Sequence, residues 1–300
     1  MDRLKYVIQA IDERNPVHAK KLQADLATLE PSFEDDANAF LHRYDRCLEE
    51  DGRNLDFAID CYLNVLDDVL VERVEFIRSG KYSSTSFEEV NQRVYNNPDV
   101  MTYYMHGLLL SQFLWHQHYK IYTYFANLMR DVAPKVERYL EVGGGHGLYL
   151  RAFCSEANSN AKVDVVDISP TSLRLCQEMA AAPNAEFILG DVHDFSRAQY
   201  DFITMGEVLE HVEDPIKLLR KLRTLCCPGG SIFVTTPTNA PAIDHIYLFE
   251  TVQDIRDVIG QAGLEILNEI QVETERIKNG KAANVKIATL YGALLTPCQT

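Results

Sequence analysis

Read for the spacing of its apolar side chains, the chain changes period once, at Pro134. Before that point the spacing is helical. Leu4, Val7, Ile8 and Ile11 fall three and four apart within Asp2–Arg14, and Val17–Leu29 repeats the pattern. Asn54–Arg78 carries a longer stripe through Leu55, Ala58, Ile59, Tyr62, Leu63, Leu66, Val69 and Leu70. The loop Gly80–Thr85 interrupts it. Pro98 suits a first helical turn, and the helix it opens should reach about Arg130, with a break near Gly107.

After Pro134, short apolar runs alternate with amphipathic stretches. Strands are expected at 138–142, 161–166, 185–189, 200–205 and 230–236, with helices at 148–157, 172–181 and 215–226. A helix at 252–262 precedes two strands, 265–272 and 286–295, with no helix between them. The alternation predicts a doubly wound α/β sheet over 134–300, ending in an antiparallel hairpin at a sheet edge. An all-helical domain over 1–133 precedes it.

Composition narrows the partners. Against 29 Lys and Arg stand 44 Asp and Glu, a net charge of −15. Such a body repels phosphate backbones and anionic membranes, so neither nucleic acid nor membrane is expected. With 46% hydrophobic and 24% charged residues, the chain can bury a core, which excludes disorder. Charges scattered through the first thirty residues leave no secretory h-region. Met101–Tyr119 lacks charged residues, but His106, Ser111, Gln112, His116, Gln117 and His118 would be costly in lipid. It reads as a buried or cavity-facing helix. Seven cysteines, an odd number without a CxxC pair, suggest reduced thiols and a cytoplasmic protein.

The chemistry gathers at strand ends. The first strand runs into Glu141-Val142-Gly143-Gly144-Gly145-His146-Gly147, where glycines let the backbone turn tightly beside a ligand. Leu148 stands where a dinucleotide fingerprint needs its third glycine. Glu141 can meet an ammonium group. Asp167, ending the second strand, can accept both hydroxyls of a ribose, and Ile168 can cover a purine face. Asp191, after the third, can accept from an exocyclic amine or cap a helix. The fourth strand ends in Gly206-Glu207-Val208-Leu209-Glu210-His211-Val212.

Together the glycine turn, Asp167, Gly190-Asp191-Val192, the run GEVLEHVEDP and CPGGSIFVTTPT (227–238) resemble the class I S-adenosylmethionine-dependent methyltransferases over roughly 134–300. The resemblance implies a Rossmann-like seven-stranded sheet with an antiparallel terminal strand, and S-adenosylmethionine as cofactor. It implies that Glu141 and the Gly143, Gly144 and Gly145 backbone hold the methionine part. Asp167 would take the ribose, Ile168, Asp191 and Val192 the adenine, and Glu207 the floor. Glu210 and His211 are read as structural, with no metal. A rival reading groups Glu207, Glu210, His211 and His245 around Mn²⁺ or Zn²⁺, as in branches that methylate RNA ends or quinone precursors.

Two segments offer an acceptor pocket. Residues 238–249 follow the fifth strand and supply His245 as a candidate base and Tyr247 as an orienting group. Residues 101–119 would fold over the cofactor as a lid. Tyr104 and His106 are candidates for catalysis there, and Tyr103, Trp115 and His118 for acceptor binding. The expected activity is methyl transfer to an O, N, S or C nucleophile of a small molecule beneath a helical cap. Two alternatives stand: a cyclase or lyase that attacks the cofactor's own aminobutyrate chain and releases methylthioadenosine, and a noncatalytic cofactor-binding protein. A homodimer is left open.

Overall fold

The computed structural model describes residues 2–197, 199–275 and 286–298. Among the described residues, seven α-helices precede the first strand: α1 (Arg3–Arg14), α2 (Pro16–Leu26), α3 (Phe33–Glu50), α4 (Leu55–Ser79), α5 (Phe87–Val90), α6 (Pro98–Leu114) and α7 (His116–Val132). Their boundaries follow local chemistry. Asn54 caps α4 by accepting from the Phe57 amide, and left-handed Gly80 ends it. Asn97 caps α6, with Pro98 in the first turn.

The periodic reading assigns no element to α3, although Phe33, Ala37, Phe40, Leu41, Tyr44 and Leu48 form its buried stripe. It also misplaces the break in the long helix. The chain stays helical through Gly107 and turns at Trp115, whose extended backbone (φ −101°, ψ 121°) joins α6 to α7. Gly107 serves close packing instead. A Cβ there would lie 2.6 Å from Val65 Cγ2 and 2.7 Å from the Cys61 carbonyl, so α4 and α6 cross where no side chain intervenes.

Beyond α7 come β1 (Arg138–Val142), α8 (Leu148–Glu156), β2 (Lys162–Asp167), α9 (Pro170–Ala180), β3 (Ala185–Leu189) and β4 (Tyr200–Gly206). Then follow α10 (Pro215–Leu225), β5 (Cys226–Thr238), α11 (Val252–Gln261), β6 (Leu264–Glu273) and β7 (Thr289–Pro297). The sheet order is β3-β2-β1-β4-β5-β7-β6. Strands β1 to β5 pair in parallel, and β7 runs antiparallel to both β5 and β6. This is the expected seven-stranded sheet, with β7 inserted between β5 and β6. Residues 286–288 of the last expected strand lie outside β7.

Alternation along the strands sorts the core into two layers. Leu140, Val142, Ile203 and Met205 pack with Leu218, Leu222, Ile255 and Ile259 of α10 and α11. Tyr139 and Phe202 face the other way, onto α8 and onto Ile121, Phe125 and Met129 of α7. A third core fills the N-terminal helices and continues into Leu148, Leu175, Met179 and Ile243. Packing therefore runs across residue 133. Among the described residues, no helix is long and apolar enough to cross a membrane. The chain order reverses between β1 and β4, which opens a crevice at the strand C-termini where such sheets receive ligands.

Candidate active site

A cavity of about 1230 Å³ fills that crevice and extends up between the N-terminal helices. Its base begins with the turn after β1. Gly143 adopts φ +71°, and a Cβ on it would stand 2.7 Å from Val208 Cγ2. Gly147 adopts φ +73°, with the Cys176 carbonyl 2.7 Å from its would-be Cβ. Only glycine lets the turn pass between the β4 loop and α9. The Gly143 amide bonds the Val166 carbonyl at 2.8 Å, which ties the turn to β2.

Asp167 is buried on the cavity wall. Its carboxylate accepts from the Gly145 amide (3.2 Å) and the Ser169 amide (2.8 Å), yet burial pushes its pKa up to about 6. Ile168, Asp191 and Val192 continue the wall. Asp191 caps a turn, accepting from His193 N at 2.7 Å, and no helix follows it.

The floor is formed by the loops after β4 and β5. Glu207 is held at φ +53°, its amide donating to the carbonyl and hydroxyl oxygens of Thr235, both at 3.0 Å. Glu210 is fully buried. Its Oε2 accepts from Thr236 at 2.8 Å, and its backbone carbonyl accepts from the Ile246 and Tyr247 amides. Burial raises Glu207 well above the carboxylate range and Glu210 to about 8. His245 is pushed down to about 4, also by burial. Four buried atoms, Glu207 Oε1, Glu210 Oε1, Asn239 Oδ1 and His245 Nδ1, have no hydrogen-bond partner among the described residues. All four residues line the cavity. Leaving such groups unpaired is costly, so polar groups of a ligand, or water, would stabilise this floor.

Asp244 links floor and roof. Its carboxylate accepts from Tyr104 of α6 (2.7 Å) and from Tyr95 (3.3 Å). His211 Nδ1 lies 3.0 Å from the Asp244 carbonyl and 3.6 Å from its carboxylate. His211 Nε2 lies 3.8 Å from Glu210 Oε1. Glu210, His211 and His245 each offer one ligand atom within 4.8 Å of the others, a set that could hold a divalent cation of the Mn²⁺ or Zn²⁺ kind.

Of the residues singled out in the sequence, Gly143, Gly144, Gly145, Asp167, Ile168, Asp191, Val192, Glu207, Tyr104, Trp115, His118 and His245 all line this cavity. The indole nitrogen of Trp115 and Nδ1 of His118 are already engaged by other side chains. The indole N–H donates to Tyr62 (2.8 Å), and His118 Nδ1 pairs with Ser111 and Gln112. Four others lie off the wall. His106 is enclosed in the helical core between Tyr44 (2.7 Å) and Arg53 (3.0 Å), and burial lowers its pKa to about 4. Tyr103 sits one helical position from Tyr104 and bonds Asp68 at 2.8 Å. Tyr247 packs on Phe249. Glu141 shares a strand face with Tyr139, two residues back, and accepts its hydroxyl proton beneath α8. Asp244, Asn239 and Tyr95 were not singled out. Asp244 adjoins His245 in the chain, but only the fold brings two tyrosines onto it.

A family model described as a methyltransferase domain matches residues 114–268. The ubiquinone biosynthesis O-methyltransferase of Xanthomonas campestris pv. campestris (strain B100) is 31% identical over 116 residues, 37% of this chain and 47% of that relative. Its counterpart in Xanthomonas axonopodis pv. citri (strain 306) is 31% identical over 114 residues, 36% and 46% of the two chains. The match thus spans about half the length of these curated relatives. Among solved structures, the mitomycin 7-O-methyltransferase MmcR superposes with a TM-score of 0.51 at 12% identity, covering 75% of this chain and 67% of that one.

Proposed function

The chain belongs to the class I S-adenosylmethionine-dependent methyltransferases, and from that premise we propose that it methylates a hydroxyl oxygen of a small molecule enclosed beneath its N-terminal helices. The observation that carries this reading is the floor of unpaired polar atoms on Glu207, Glu210, Asn239 and His245, roofed by α6. Oxygen as acceptor atom is supported by the relatives, which are O-methyltransferases by name.

The glycine turn and the Asp167 carboxylate fit the family's cofactor, as a close-approach backbone and a hydroxyl acceptor on one wall. Bound there, S-adenosylmethionine supplies a methyl group on an electrophilic sulfonium. The work of the chain is mainly to position the acceptor and exclude water. With His211 Nδ1–H donating to the Asp244 carbonyl, Nε2 keeps its lone pair and can take the acceptor hydroxyl's proton. Tyr95 and Tyr104 fix Asp244, and so fix the ring.

The test is to incubate the protein with S-adenosylmethionine and a panel of phenols, carboxylates, amines and thiols, then weigh the adenosyl product. S-adenosylhomocysteine with a methylated phenol supports the reading. Methylthioadenosine would mean attack on the cofactor's side chain, and an unchanged cofactor would mean binding alone.

A further inference from the structure

The cavity is larger than the roughly 300–1,000 Å³ typical of a single small-ligand pocket. Its upper part has a different character from its floor. There the walls are one face of α4, carrying Leu66, Val69, Leu70 and Ile77, and the face of α2 that carries Val17. Residues three, four and seven apart lie on one side of a helix, so α4 turns these four side chains to the cavity, with Arg73 among them. From Leu66 to Ile77 this strip extends about 16 Å, at about 1.5 Å per residue.

The strip does not end in the interior. Val17, Leu70 and Ile77 line the cavity and are also 83%, 51% and 68% exposed. Beside them on α4, Val71 and Val74 are 68% and 69% exposed. Single exposed apolar residues are ordinary, but three on the cavity lining with two more beside them on the same helix mark a binding surface. The cations at this mouth are engaged. Arg73 forms a two-pronged pair with Glu275 (2.9 Å for Nη2–Oε2), and Lys21 joins the same carboxylate at 3.4 Å. The opening sets these apolar side chains beside the ion pairs, and it leads down to a polar floor.

Building on the methyl-transfer reading above, we propose that the passage between α2 and α4 binds a long, uncharged aliphatic tail of the methyl acceptor. The acceptor is amphipathic: its hydroxyl-bearing head rests on the floor beside His211 and Glu210, and its tail leaves past Val69, Leu70 and Ile77. Because one cavity joins these apolar side chains to the floor, a tail attached to the reacting molecule is favoured over a separate partner on the surface.

The probes are 4-alkylphenols from p-cresol to 4-octylphenol. Their binding is measured by calorimetry on the full chain saturated with S-adenosylhomocysteine. Each buried methylene should tighten binding about fourfold until the strip is filled. Leu70→Asp and Ile77→Asp alter positions that are 51% and 68% exposed. Each should weaken 4-octylphenol at least tenfold while leaving p-cresol and S-adenosylhomocysteine unchanged. Affinity independent of chain length, or unmoved by both substitutions, would overturn the proposal. So would chain-length independence combined with adsorption to phosphatidylcholine vesicles, or with a dimer that Leu70→Asp dissolves. Those results would give the patch to a membrane or to a second copy. Because binding is read without turnover, failed methylation with intact chain-length dependence would sink the catalytic reading alone.

Discussion

Glu141 offers the sharpest quantitative test. It is fully buried, accepts from Tyr139 and lies off the cavity wall, and burial raises its pKa from 4.5 to about 8. Between those two values the folded protein holds a proton that the unfolded chain has released. This contribution to stability is complete below pH 4.5 and is lost as pH climbs through 8. At about 1.4 kcal/mol for each pH step between 4.5 and about 8, the loss amounts to about 5 kcal/mol. Glu141→Gln keeps the shape and an acceptor for Tyr139 but cannot ionise. In urea unfolding of the cofactor-free protein, the two proteins should match near pH 5. At about pH 8.5 the Gln variant should be more stable by about 3–5 kcal/mol. Parallel pH curves for the two proteins would refute the reasoning. The same variant tests the role suggested by the motif. Its affinity for S-adenosylhomocysteine should stay within about threefold of the original, whereas a loss of a hundredfold, about 2.7 kcal/mol, would mean that the carboxylate does reach the ammonium group.

Other outcomes follow from the same geometry. Gly147→Ala combines a left-handed backbone with a Cβ 2.7 Å from the Cys176 carbonyl, so denaturation should show a loss of about 2–4 kcal/mol and cofactor binding should fail with it. Asp244→Ala strands the buried hydroxyls of Tyr95 and Tyr104 at about 1–3 kcal/mol each. It should also lower kcat by about 10²-fold or more, with little change in cofactor Kd. Dialysis against a chelator should leave activity intact if His211 takes the proton, and abolish it, with rescue by Mn²⁺ or Zn²⁺, if Glu210, His211 and His245 hold a cation. Thr251→Ala removes a capping box at the start of α11 and should cost about 1 kcal/mol with unchanged catalysis.

The sheet was legible because its signals are local. Strand-end glycines and acids sit where backbone geometry requires them, and Asp167 and Glu207 reached the cavity as expected. The helical half was harder to read. Tyr103 and Tyr104 are neighbours in sequence with opposite fates, because one helical step of about 100° turns one to Asp68 and the other to Asp244. Burial of α6 on nearly every side removed the polar face that would have told them apart. His106 is a candidate by residue type, yet it sits in the helical core, and its partners Tyr44 and Arg53 lie more than fifty positions away in the chain. For Glu141, alternation along β1 already places it on the face of Tyr139, a neighbour that the motif alone does not reveal.

Trp115 stands at the joint between α6 and α7, on the wall of the cavity, and is the only tryptophan among 300 residues. Its indole N–H is tied to Tyr62, so the ring is held in one orientation. The protein therefore carries its own optical reporter. Emission excited selectively from this single indole reads the polarity of one known place, free of the average over several sites that blurs most proteins. A titration of cofactor or acceptor can be followed in the unlabelled chain, and the wavelength of the emission distinguishes a wet cavity from one whose water has been displaced.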